Sequence, residues 1–130
     1  MFKLMITMKR KKGMSHDEFQ QYYNERHLTF VQRIIPPSKP GAKPATLHRR
    51  NFVRADDPLV SLIGDGRADV NPPFDVITEV VYETREDAAA ALETFFQQSV
   101  IDPVKADEKN FIEDGSIKFY VTEVFEQRAK

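Results

Sequence analysis

Phe2-Lys3-Leu4-Met5-Ile6-Thr7-Met8 puts Phe2, Leu4, Ile6 and Met8 on one face at period two, the signature of a strand with one buried side. After the polar turn Lys9 to Gly13, the period changes. Ser15 and Glu18 have capping-box spacing, in which each side chain satisfies a free backbone N–H of a first helical turn. Phe19, Tyr22, Tyr23, Arg26, Phe30 and Ile34 then recur at helical spacing, and Pro36-Pro37 stops the helix because a proline ring blocks continuation. A strand feeding a capped amphipathic helix in this way is the first half of a β-α-β unit.

The remaining chain supplies the rest of that pattern. Residues Pro36 to Pro44 hold four of the eight prolines and read as a stiff connector. Ala45 to Arg54 reads as a second strand with polar side chains on both faces, as expected where one face lines a cavity. Ala55 to Pro73 is a long loop with Gly64-Asp65-Gly66 and an apolar centre, Leu59 to Ile63. Loops of this length in small domains are usually functional or disordered; the apolar centre suggests that this one folds back on something, and it is expected to be mobile or to cover a pocket mouth. Phe74 to Glu83 is a third strand. Thr84 caps a helix through Gln98, with Ala88, Leu92, Phe95 and Phe96 inward. Asp102-Pro103 begins a short helix to about Phe111, and Ile117 to Phe125 is the last strand. Right-handed crossovers leave few topologies. The simplest is α+β, a ferredoxin-like βαββαβ fold with an antiparallel four-stranded sheet and helices on one face. Residues 1–130 form a single domain. The bare second face predicts a homodimer, two sheets packed face to face around a shared cavity.

Composition narrows the functions. The chain has 130 residues, 41% hydrophobic, formal net charge -1 and no cysteine. Thiolate catalysis, disulfides and cysteine-based zinc sites are excluded. Near-neutral charge gives no call for nucleic acid or an anionic membrane as partner. No stretch approaches the ~20 apolar residues of a membrane span, and the apolar-then-basic order of the N-terminus is the reverse of a secretory signal, which predicts a cytoplasmic protein.

Several motifs have dull explanations. Ser15-His16-Asp17 carries triad letters, but adjacent residues at a helix start cannot assemble triad geometry. Gly64-Asp65-Gly66 lacks the strand and helix of a phosphate cradle. His16, His27 and His48 show no metal-ligand spacing, so no metal is expected. Lys9 to Lys12 reads as a solvated turn. Two features stand apart. His27 lies three turns into the first helix, one position off the core stripe, with an ordinary pKa near 6.5 suited to proton transfer; the alternative is a packed histidine. Asp75 and Glu79, four apart on the third strand, share a side with Ile77 and Val81. A carboxylate among apolar residues there is either a burial-tuned acid or base, or an ion-pair partner of Arg49 or Arg50.

Together, Lys11-Lys12-Gly13-Met14-Ser15, Glu18-Phe19, Tyr22-Tyr23 and His27, then Pro73-Phe74-Asp75 with Glu79, then Asp107-Glu108 and Phe111-Ile112-Glu113 before a final strand, resemble the EthD family, in order and over nearly the whole chain. Where similar sequences follow the histidine with a small residue and proline, Leu28-Thr29-Phe30 continues the helical pattern. The resemblance implies a dimeric α+β barrel with pockets for small aromatic or carbonyl-bearing molecules. It also implies a range of activities, from dehydratases and decarboxylases to related isomerases, cofactor-free monooxygenases and haem-binding proteins. The expectation is an enzyme with no cofactor, in which His27 moves a proton near a carbonyl, Glu79 orients it or acts as its counterpart, and Asp75 sits nearby. Arg50 or His48 would hold an anionic group, and Tyr22, Tyr23, Phe52 and Phe119 would form apolar wall. The alternatives are a non-catalytic binding or accessory protein of a catabolic pathway, or an oxidoreductase, including a haem variant with His27 as axial ligand.

Overall fold

The computed structural model describes residues 1–129. Strand β1 (Phe2–Met8) is followed by helix α1 (His16–Gln21), a π-helical stretch Tyr22–His27 and helix α2 (Leu28–Ile34). Then come β2 (Leu47–Phe52), a short 3₁₀ turn Pro58–Leu62, β3 (Val76–Tyr82), α3 (Arg85–Phe95), α4 (Gln98–Glu108) and β4 (Lys118–Thr122). The four strands form one antiparallel sheet in the order β2-β3-β1-β4. This is the ferredoxin-like arrangement that the β1 alternation and the helix spacing predict.

The sheet has two different faces. Leu4 and Met8 of β1, with Val76 and Val80 of β3, meet Phe19, Tyr23 and Ala88 of the helices in the core. The opposite face carries rows that run across the strands: Tyr120, Met5, Glu79 and Arg49 in one register, Lys118, Thr7, Ile77 and Asn51 in the next. No helix among the described residues covers that second face, which is the face a dimer would bury.

The capping box forms: Glu18 N donates to Ser15 Oγ and Ser15 N to the Glu18 carboxylate, both at 3.1 Å. The first helix then departs from the expected stripe. Its buried row is Phe19, Tyr23 and His27, every fourth residue; i and i+4 share a face of an α-helix, and the wider turn of the π stretch offsets the drift that two such α-helical steps would accumulate. Arg26, expected inward, is exposed with its guanidinium 5.7 Å from the Tyr22 ring.

Three further expectations are corrected. Helix α4 starts at Gln98, a turn before Asp102, and holds Pro103 inside it. Burial of Val100, Ile101 and Val104 drives the helix through the proline. The carbonyl this leaves without a helical partner belongs to Ser99, which is exposed to water. The loop's apolar centre folds back on nothing: Leu59, Leu62 and Ile63 are 66%, 78% and 52% exposed. Phe96, expected inward, is half-exposed and meets Phe119 edge-on at 5.7 Å.

Candidate functional site

Between the sheet and the helices of a single chain lies a cavity of about 460 Å³, within the usual range for small-molecule sites. It is not the cavity between two sheets that the second strand's polar pattern predicted. Its walls are mostly apolar, from Leu4, Ile6 and Val80 of the sheet to Val31, Leu92 and Phe95 of the helices. Pro44 and Ala45 of the proline-rich connector border it, and no residue of the 55–73 loop does, so the expected cover over the mouth is absent among its lining residues.

His27 is the central polar group. Its ring is 7% exposed, lies 4.8 Å from Phe111 and stands edge-on to Tyr23 at 6.0 Å. Nδ1 sits 2.8 Å from Asp107 Oδ2. The other Asp107 oxygen accepts from the Tyr22 hydroxyl at 2.7 Å and the Asn110 amide at 3.2 Å. Burial raises the Asp107 carboxyl pKa, but the hydrogen bonds from Tyr22, His27 and Asn110 outweigh it and hold the pKa low. For His27, burial lowers the pKa and outweighs the raising effect of the Asp107 hydrogen bond and charge. Both shifts describe one state: a neutral imidazole donating Nδ1–H to an ionised carboxylate. Nε2, without a hydrogen-bond partner among the described residues, is then a free lone pair on a residue that lines the cavity.

A second polar group stands on β2. Arg50 Nε donates to Asn24 Oδ1 at 2.6 Å and Nη1 to His48 Nδ1 at 2.8 Å, with the guanidinium 5.9 Å from the Tyr23 ring. Burial first, then the Arg50 charge, pushes the His48 pKa down to about 4. His48 remains open to water at the rim, and the Arg50 bond itself requires an unprotonated Nδ1. His48 is left with an Nε2–H to donate. On α4, Glu108 also lines the cavity.

The sequence-predicted residues separate into two groups. His27, Tyr23, His48, Arg50 and Phe119 line the cavity together. Tyr22 stands behind it, stacked on Phe111 at 4.9 Å. Phe52 is core, edge-on to Phe19 and Tyr23. Asp75 is remote and structural: its carboxylate accepts from Arg10 N at 2.7 Å and lies 3.4 Å from Arg10 Nε, pinning the turn after β1. Glu79 is on the opposite face of the sheet, paired with Lys3 at 2.8 Å and Arg49 at 3.6 Å. Hydrogen bonds from Lys3 and Asn51 lower its pKa against the effect of burial, so it neither orients His27 nor carries the raised pKa expected of a buried acid.

The carboxylate that does hold His27 is Asp107, 80 residues along the chain. Asp107 and Glu108 are visible in the sequence as an acidic pair ending a helix, but only the packing of α4 against the π stretch gives them roles.

The EthD domain family model matches residues 11–115. No curated protein matches the chain. Among solved structures, the chain is similar to At3g17210 from Arabidopsis thaliana, with TM-score 0.55 and 8% identity, covering 99% of this chain and 100% of that one. It is also similar to an EthD family protein from Bacillus halodurans, with TM-score 0.55 and 13% identity, covering 96% and 100%. At these identities the two structures speak for the fold.

Proposed function

The chain belongs to the EthD family, and from its cavity we propose a cofactor-independent enzyme that moves a proton at a carbon or oxygen beside a carbonyl in a small, largely apolar or aromatic molecule. One observation carries the reading: a neutral His27, fixed through Nδ1 by Asp107, with Nε2 unpaired on a residue that lines an apolar cavity. A neutral imidazole is a base at cell pH. The adjacent carboxylate offsets part of the burial cost of the imidazolium it becomes. Arg50 and the Nε2–H of His48 would hold a carbonyl, phenolate or carboxylate oxygen at the β2 side, leaving the apolar walls to select the rest of the molecule. Enolisation, dehydration and decarboxylation can each draw on these groups, as base, acid or oxygen-binding donors, without a redox partner. A second copy of the chain is the expected protein partner, packed against the bare face of the sheet.

The test is proton exchange at carbon. An aryl methyl ketone in D₂O is followed by ¹H NMR with and without protein. Wild type should accelerate loss of the α-proton signal, and His27→Asn should reduce that acceleration by about 10²–10⁴-fold. Asparagine suits the test because its amide N–H₂ can replace Nδ1 as donor to Asp107. Ligand binding with no exchange in wild type would support a carrier instead.

A further inference from the structure

We propose that Glu108 is a second proton-transfer group of this cavity, acting as the acid opposite the His27 base, and that the cleft behind it connects it to bulk water. The inference rests on the acid–base reading above. Asp107 reaches back to His27. Successive helical residues point about 100° apart, so the neighbouring Glu108 is aimed elsewhere, onto the cavity that His27 and Tyr23 also line. It also lines a second cleft, of about 210 Å³, with Lys105, Lys109, Glu113 and Asp114. Only Glu108 and Ile117 belong to both, so they form the partition between the apolar cavity and the charged cleft.

The Glu108 carboxyl has no hydrogen-bond partner among the described residues, while the neighbouring Asp107 has three. Its position as last residue of α4 puts it at the negative end of the helix dipole, which disfavours ionisation. The charged and titratable groups around it are Lys105, Asp107 and Lys109 on or beside its own helix, Tyr23 and His27 from the first helical segment, and Glu113 and Asp114 across the cleft. Burial, opposed by Lys105 and reinforced by Asp107, pushes its pKa up to about 7, which suits an acid at neutral pH.

The chemistry balances. In enolisation, His27 Nε2 takes the proton from the carbon beside the carbonyl, the C–H pair becomes the new C=C bond, and the carbonyl π pair moves to oxygen. That oxygen takes the proton of the Glu108 carboxyl, leaving an enol, an imidazolium and a carboxylate. In dehydration the Glu108 proton goes to the departing hydroxyl, which leaves as water. The carboxylate is then reprotonated from the cleft that Glu108 also lines.

Two measurements test this on the full chain. In protein carrying ¹³C-labelled glutamate, one carboxyl should titrate near neutral pH, and that signal should be missing from Glu108→Gln. If every glutamate titrates below about pH 5, the proposal is overturned whatever the activity. In the ketone exchange assay, Glu108→Gln should lower kcat by more than about tenfold and remove the high-pH fall of the profile, while the His27 limb stays. Exchange lost in His27→Asn but unchanged in rate and profile in Glu108→Gln would overturn the Glu108 role and leave the His27 reading standing. Exchange unchanged in both variants would overturn both.

Discussion

At the scale of single residues, two carboxylates adjacent in sequence are driven in opposite directions. Three donors hold the Asp107 pKa low, and burial pushes the Glu108 pKa up to about 7. Asp107→Asn should remove the groups that raise the His27 pKa, so the ring should titrate still lower and its preference for Nδ1–H should relax. Both effects are readable in ¹⁵N histidine spectra, and unchanged spectra would deny Asp107 its positioning role. Glu108 makes a prediction with a definite sign. Its pKa is raised from 4.5 to about 7, so its contribution to stability is full below pH 4.5 and is lost as pH rises through about 7. Glu108→Gln should therefore melt higher than wild type at pH 8, by at most about 3 kcal/mol, and match it near pH 4.5. His27 and His48 work in the other sense. Their lowered pKa values favour the fold above pH 6.5, and that contribution is lost as pH falls, through about 4 for His48.

At the scale of elements, β1, β3 and the capped helix starts were legible because their information is local. Alternation from Phe2 to Met8 and the Ser15–Glu18 box need only neighbours in sequence. The π stretch was not legible, because Tyr22–His27 fits a 3.6-residue repeat as readily as a wider one, and the choice is made by packing Tyr23 and His27 on Phe111. That single change moves His27 from the boundary to a buried site. Glu79 misled for a related reason: alternation places it with Ile77 and Val81, but not on which side of the sheet, and the cross-strand neighbours Lys3 and Arg49 become visible only with the register. The start of α4 was misplaced because Asp102-Pro103 has cap chemistry while the burial of Val100 and Ile101 settles the matter. Pro103→Ala should accordingly stabilise the protein by about 1–3 kcal/mol, since it restores a helical N–H to the Ser99 carbonyl. A loss of stability in chemical denaturation would mean the proline ring contributes more to packing than the lost bond costs.

At the scale of the molecule, the cavity and the bare sheet face are separate features, so the proposed dimer and the proposed chemistry can be tested apart. No helix among the described residues is long and apolar enough to cross a membrane, and the sheet's open face carries Met5, Ile77, Tyr120 and paired charges. Two such faces packed together would bury the Lys3–Glu79 pair and the apolar rows beside it. Sedimentation at micromolar concentration should then give about twice 15.0 kDa, and a clean monomer would end the barrel argument. Tyr120→Asp is the discriminating variant: the side chain is 51% exposed in the single chain, so the change costs the monomer little but places an unpaired charge in a buried interface. It should shift the protein to monomer. Because the residues lining the cavity all come from one chain, that monomer should still exchange α-protons in a His27-dependent way, with a lower melting temperature. If exchange disappears with the dimer while the fold persists, the partner copy shapes the cavity, most directly through Phe119, the neighbour of Tyr120 on β4 that lines it.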